Sequence, residues 1–411
     1  MNKNILILLI CNSLFAITRS LTRGNLPEYV IILGGTLVSW GFIATIGIIS
    51  NIIAIIPSNF LSDILGRKYV IIMVAFFGFI GSIFTAFAPT WEWLIIGYVS
   101  LELQQGVFIP SAIAYISDEI PDEDDSKGKR NNRIKFFTYF ELSGVFGGSV
   151  GYLISSFYFI FVGDVYTENL LRGNMIIAIF LAFLSFIAIL FISPTKKDLR
   201  TKNNMNLKEK IVKPTHREMF IVFGFTLSSF FIGLGAGFFL PFAQPFWYNV
   251  FNLSPATINI ILGASFVCVS LGMFLIPYLT TRMSKTKVIL LTQGFAIPLI
   301  LVIAWSPLLI VVLPAYLGRF TLMNMARPVQ NTLLQRGLTD NYRATGQSIS
   351  TLADRIGRGI TPAFASIIIL ELGFSVSFTI TAIFYILAIV ILFITIKLFK
   401  LEEPYYNLTK N

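Results

Sequence analysis

Apolar residues run along this chain in blocks of about 20, separated by short polar breaks. A helix of that length crosses about 30 Å of hydrocarbon. The blocks are continuously apolar and do not alternate with a period of two, so they predict helices and not barrel strands. Twelve spans are expected, at about 4–25, 33–58, 69–88, 91–117, 135–162, 173–193, 219–249, 256–280, 286–306, 308–334, 344–370 and 374–398. The first opens like a signal peptide, with a lysine and an apolar run. No small-residue cleavage site follows it, so it reads as an uncleaved first helix. The expected fold class is an all-α integral membrane protein.

Composition sharpens this. Of 411 residues, 55% are hydrophobic and only 13% are charged, against roughly 25% charged in soluble domains. The net charge of +10 reads as topology and not as a nucleic-acid surface. Most lysines and arginines fall on one side of the predicted spans. They form the pair Arg67 and Lys68, a cluster from Lys127 to Lys135, a long run from Lys196 to Arg217, and smaller groups at 282–287, 336–343 and 397–410. The opposite side holds Arg172 and Arg23. Basic loops stay on the cytoplasmic side, so both termini are expected there, in a multi-pass protein of the cell membrane.

The stretch SPTKKDLRTKNNMNLKEKIVKPTHRE (193–218) is the longest hydrophilic segment. It divides the chain into an N-terminal six-helix half (1–193), a basic cytoplasmic linker (194–218) and a C-terminal six-helix half with a short cytoplasmic tail (219–411). The linker reads as a solvated connection, with contact to lipid headgroups through its lysines as the alternative. The halves echo each other. LSDILGRKYVI (61–71) and LTTRMSKTKVI (279–289) each follow an Ile-Pro pair, and each joins the second and third span of its half. In the second copy Thr281 stands where the first has Asp63. Two six-span repeats in parallel are a transporter architecture, with the substrate site between them.

NFLSDILGRK (59–68) resembles the signature G-x-L-x-D-R-x-G-R-K of the major facilitator superfamily, in the position between spans two and three where that signature belongs. Asp63, Gly66, Arg67 and Lys68 match; Asn59 and Ile64 replace the first glycine and the usual base. In span four, ELQQG (102–106) keeps Gln105 and Gly106 of R-x-x-Q-G, with Glu102 in place of the arginine. In span five, GGSVGY (147–152) keeps two glycines of the antiporter pattern G-P-x-x-G-G but not its proline. The resemblance implies that spans one, four, seven and ten line a central cavity, and that two, five, eight and eleven form contacts between the halves. It also implies that Asp63 pairs with Arg67 and faces the start of span eleven, latching the cytoplasmic side.

Ionisable side chains at hydrocarbon depth cost roughly 3 kcal/mol each, so they face a cavity or a partner. Arg19 shares a helical face with Asn12, Ala16 and Arg23. With the resemblance, Arg19, Glu102 and Arg319 become cavity candidates, with Gln105, and with Asn324 beside Arg319. Snorkelling to the surface is the other reading of Arg19, and a structural ion pair that of Glu102. Glu141, Arg327, Asp354 and Arg358 become gate or interdomain candidates, Asp354 and Arg358 being spaced to pair within one helix. Span seven, GLGAGFFLPFAQPFWY (233–248), carries glycines and two prolines. It predicts a broken helix near substrate, with Gln244, Trp247 and Tyr248 as polar or stacking contacts; ordinary packing of a glycine-rich helix is the alternative.

No phosphate-binding loop is present, Cys11 and Cys268 lie inside apolar runs, and His216 is the lone histidine. Neither an enzyme, a metal site nor a cofactor is expected. The expected function is a secondary active transporter of a small organic solute, monomeric in the lipid bilayer and working by alternating access. A proton or another ion supplies the drive, with Glu102 as the coupling group, and two cavity arginines favour an anionic substrate. Efflux of lipophilic or drug-like compounds is the alternative within the class; a non-transporting receptor or chaperone with the same fold is the alternative outside it.

Overall fold

A computed structural model describes residues 3–119, 130–194 and 214–402. The central part of the basic linker, Lys127 and Lys129, and the C-terminal tail lie outside the described residues, as do the side chains of Asp63, Arg130, Arg133 and Lys135. Helices account for nearly all of the rest. In the N-terminal part they are α1 (Lys3–Arg23), α2 (Leu26–Ile32), α3 (Leu37–Leu65), α4 (Arg67–Ala86), α5 (Trp93–Glu119), α6 (Arg130–Val162) and α7 (Glu168–Leu190). The C-terminal part holds α8 (His216–Phe239), α9 (Ala243–Phe251), α10 (Pro255–Arg282), α11 (Lys285–Trp305), α12 (Leu309–Met325), α13 (Arg327–Arg336) and α14 (Asp340–Leu398).

Side-chain caps set several helix starts. Thr36 and Ser39 form a reciprocal capping box at α3, and Thr215 and Glu218 form one at α8, each satisfying backbone N–H groups that the first turn leaves orphaned. Among the described residues, ten helices are long and apolar enough to cross a membrane by length and composition. Two further spans complete the expected twelve. α5 falls below that apolarity because Glu102, Gln104 and Gln105 sit in its middle. α14 is two spans run together, broken at Gly373 by φ 84° and ψ 170°, so the loop between them shrinks to one glycine. The seventh span is interrupted as the sequence suggests: a 3₁₀ turn over Leu240–Phe242 separates α8 from α9, where Pro241 lacks the N–H that would continue the helix. The short α2 was not expected; Pro27 in its first turn starts a helix inside the first loop.

Large apolar side chains stand exposed along these helices, among them Phe161, Phe274 and Ile310. A water-facing surface rarely tolerates so many; here they face hydrocarbon. Contacts group the chain into two units, one of residues 1–207 and 247–266, the other of 208–246 and 267–411. In the first unit Phe15, Phe108 and Phe140 pack with Cys11 and Tyr115 where α1, α5 and α6 meet. Helix contact in a membrane gains little from the hydrophobic effect and depends on small residues at the seams. Gly147 and Gly151 of α6 meet that need: a Cβ there would lie 2.4 Å from the Ser13 carbonyl oxygen and 2.5 Å from that of Ile17. The antiporter-like glycines therefore seat α6 directly on the α1 backbone. In the second unit, Ile221, Phe225, Val288, Leu333 and Ile396 form the core of α8, α11, α13 and the end of α14.

Candidate functional site

Glu102 is the centre of the first unit's polar network. It lies on α5 and is 4% exposed. Arg23, in the last turn of α1, reaches its Oε1 at 3.5 Å. Asn51 of α3 donates to its Oε2 at 3.2 Å and to its backbone oxygen at 2.9 Å. Tyr98, one turn away on α5, lies within electrostatic reach of both Glu102 and Arg23. Three helices thus converge on one carboxylate. Arg19 lies within electrostatic reach of Glu102, Tyr98 and Tyr152.

One turn of α1 further in, Arg19 lines a cavity of about 190 Å³ together with Asn12, Ile109, Glu141, Val145 and Phe266. The helical face read from the sequence, Asn12–Ala16–Arg19, is one wall of it. Glu141 of α6, expected as a gate or interdomain residue, also lines this cavity. Gln105 is half-buried beside Glu102, whereas its neighbour Gln104 turns to α4, where it fills the space over Gly78. Two candidates from span seven also belong to this unit. Trp247 is fully buried with its ring on Phe251, 5.6 Å between centroids. Tyr248 meets Tyr166 edge-on at 5.0 Å.

In the second unit Arg319 of α12 is 1% exposed. Its guanidinium carbon lies 4.2 Å from the Phe239 ring centroid and 5.4 Å from that of Tyr385, and it donates to the Tyr385 hydroxyl at 2.5 Å. Among the described residues no carboxylate pairs with it; aromatic faces hold the charge instead. Asn324 spends its amide donor on the Phe320 carbonyl one turn back, at 2.7 Å. Gln244 is buried. Asp354 of α14 accepts two hydrogen bonds from Arg358, each 3.1 Å, and one from Arg327 of α13 at 3.4 Å. The i,i+4 pair read from spacing is present, and Arg327 joins it from another helix.

The sequence profile of the major facilitator superfamily matches residues 8–232 and 225–406. The chain belongs to the major facilitator superfamily. Solved structures share its fold. A bacterial homologue of the human lysosomal transporter Spinster, in an inward-facing and occupied conformation, has a TM-score of 0.75 at 16% identity, covering 98% of each chain. A D-xylose–proton symporter has a TM-score of 0.74 at 15% identity, covering 95% of this chain and 96% of its own. The nucleoside transporter NupG has a TM-score of 0.69 at 14% identity, covering 97% of this chain and all of its own. No curated protein sequence matches significantly. The chain is a multi-pass transporter-family protein with twelve membrane-spanning segments in two six-span halves.

The superfamily signature forms the turn from α3 to α4. Gly66 adopts φ 88° and ψ 143°, a region that only glycine enters without strain. Arg67 pairs with Asp118 at 2.7 Å and donates to the Ala114 carbonyl; its expected pairing with Asp63 falls on a side chain outside the described residues. Asp118 and Ala114 lie at the end of α5. Lys68 is half-exposed at the α3–α4 turn. Sequence reasoning missed Asn51, Tyr98 and Asp118. For Asn51 the signal was present, a lone amide in an otherwise apolar run.

Proposed function

We propose that this protein is a proton-coupled secondary transporter, moving a small organic solute with an anionic group by alternating access, with both termini cytoplasmic in a cell membrane. The carrying observation is the buried Glu102 between Arg23 and Asn51, with Arg19 in electrostatic reach. A carboxylate surrounded by arginines neutralises them while it is ionised. A proton on Glu102 removes that negative charge and leaves the guanidinium groups to attract an anion. Proton and substrate then bind with positive linkage, the thermodynamic requirement for co-transport. The fold is known to host such coupling, since one of its neighbours is a D-xylose–proton symporter.

Arg319, Asn324, Gln244, Trp247 and Tyr248 are assigned to substrate passage, and Asp63, Lys68, Arg67, Arg327, Asp354 and Arg358 to gating, on the family's layout. The test is uptake of small labelled anions into proteoliposomes under an imposed pH gradient. The reading expects an acid-outside gradient to drive accumulation in the wild type. It expects Glu102→Gln to lose accumulation while retaining exchange between equal pools. Gradient-independent uptake in the wild type would overturn it.

A further inference from the structure

Residues 247–266 come after the linker in the chain, yet they group with the first unit. They span the end of α9 and the first turns of α10, at the ends of the spans away from the linker. One face of α10 makes the contact, with Ala256, Asn259, Gly263 and Phe266 at helical spacing. The Asp164 carboxylate, in the turn between α6 and α7, accepts from the Ala256 N–H at 2.9 Å, one of the donors that the first turn leaves orphaned. Ser149 Oγ of α6 donates to the Gly263 carbonyl at 3.3 Å. The Tyr152 ring of α6 lies 5.8 Å from that of Phe266.

Two amides meet within this seam. Asn25, between α1 and α2, and Asn259 are both fully buried. Asn25 Nδ2 donates to the Leu21 carbonyl at 3.0 Å and to Ser155 Oγ at 2.9 Å. Asn259 Nδ2 donates to Asn25 Oδ1 at 3.0 Å and to the Pro255 carbonyl at 2.9 Å. Every amide N–H of the pair is thereby spent. Turning the Asn259 amide over would set its oxygen against two acceptors, so the partners fix its orientation. Asn259 Oδ1 is left buried with no donor among the described residues. Gly24 lets the seam close: a Cβ there would lie 3.0 Å from this oxygen and 2.6 Å from the Tyr152 ring.

A buried acceptor without a donor costs about 1–3 kcal/mol. That cost falls on the docked state, because parting α10 from α1 and α6 returns Asn259 Oδ1 to water. The capped and aromatic contacts hold the seam, and its amide pair opposes them. We propose, building on the transporter reading, that this seam is a releasable latch. Residues 247–266 undock from α1 and α6 at the ends of the spans away from the linker, and the Asn25–Asn259 pair sets how readily they do so. An apolar pair of the same branched shape would hold the seam shut, since replacing both polar partners leaves nothing to rehydrate. The amides keep the docked and undocked states close in energy.

The test follows thiol labelling of the purified full-length protein in detergent, with neither solute nor gradient, so that it is independent of proton coupling. Ala256→Cys is the reporter, at a docked position 3% exposed. Cys268→Ser removes the partly exposed thiol. The native Cys11, buried in the core of the first unit, stays as an internal control for unfolding. A water-soluble maleimide is added, and mass spectrometry reads the labelling rate at the two positions. Asn25→Leu breaks the pair and is expected to raise the rate at position 256 by about 5- to 150-fold, with Cys11 unchanged. Adding Asn259→Leu is expected to return the rate to that of the parent or below. An unchanged rate in Asn25→Leu, or a double variant as fast as the single one, overturns the proposal. Where Cys11 is labelled in step with position 256 the variant has unfolded, and Asp164→Ala, outside the helices, decides instead: a faster rate supports the latch and the parent's rate overturns it. Failure here alongside gradient-driven uptake removes only the latch. The expected labelling without uptake of any solute removes the transporter reading and leaves a seam that opens.

Discussion

Arg23, at the last turn of α1, and Glu102, in the middle of α5, hold each other at 3.5 Å, and the two ends of the contact are unequal. The Arg23 side chain is 38% exposed and that of Glu102 is 5% exposed. Arg23→Gln leaves a buried carboxylate short of its cation. Glu102→Gln leaves an arginine that solvent reaches. Arg23→Gln is therefore expected to be the more destabilising, by up to about 3 kcal/mol, the low end for breaking a buried pair. Thermal unfolding of both variants in detergent checks the order. Equal or reversed losses would contradict the burial argument.

Close approach sets the second prediction. Gly147→Ala puts a methyl group 2.4 Å from a backbone carbonyl oxygen of α1, and no side chain is there to move aside. An overpacking cost of roughly 1–3 kcal/mol is expected. Gly294 of α11 has nothing within 4 Å of its would-be Cβ, so Gly294→Ala is neutral or stabilising by up to about 1 kcal/mol through helix propensity. The measurement is the unfolding midpoint of the two alanine variants, compared at equal detergent concentration.

At the α3–α4 turn, Gly66→Ala must hold a Cβ at φ 88° and ψ 143°, at a cost of roughly 1–3 kcal/mol. Asp118→Asn removes the charge opposite Arg67, whose side chain is 11% exposed. A double-mutant cycle of Arg67→Gln with Asp118→Asn is expected to show coupling. Strictly additive losses would mean that the ion pair contributes nothing.

How much of this was legible follows from range. The spans were legible because apolar length is a local property. So were the break at Pro241 and the pair Asp354–Arg358, which need only near neighbours in sequence. The Arg67–Asp118 pair could not be read at all, because the far end of α5 brings Asp118 in from 51 positions away. Glu102 stood out as a charge in an apolar run, but Arg23 and Asn51 reach it from α1 and α3, and no spacing rule links those positions. Glu141 was placed by family layout, and the cavity wall it shares with Arg19 required the folded packing of α1 on α6.

Arg319 offers a test of how a cation is held without a carboxylate. Tyr385→Phe keeps the ring and removes the oxygen that accepts from Arg319 at 2.5 Å. A loss of about 1–2 kcal/mol is expected. Arg319→Lys is expected to cost more, because a lysine cannot both stack on Phe239 and reach Tyr385 with a planar fork. Unfolding midpoints check both, and a lysine variant as stable as wild type would show that the stacking geometry is immaterial.

The central claim is that Glu102 carries the coupling proton. Its most direct test follows a pH-sensitive dye sealed inside proteoliposomes while a transported solute is added outside. The wild type is expected to show solute-dependent proton movement into the lumen, and Glu102→Gln to move solute in exchange mode with no dye response. A dye response in Glu102→Gln equal to that of the wild type would contradict the account.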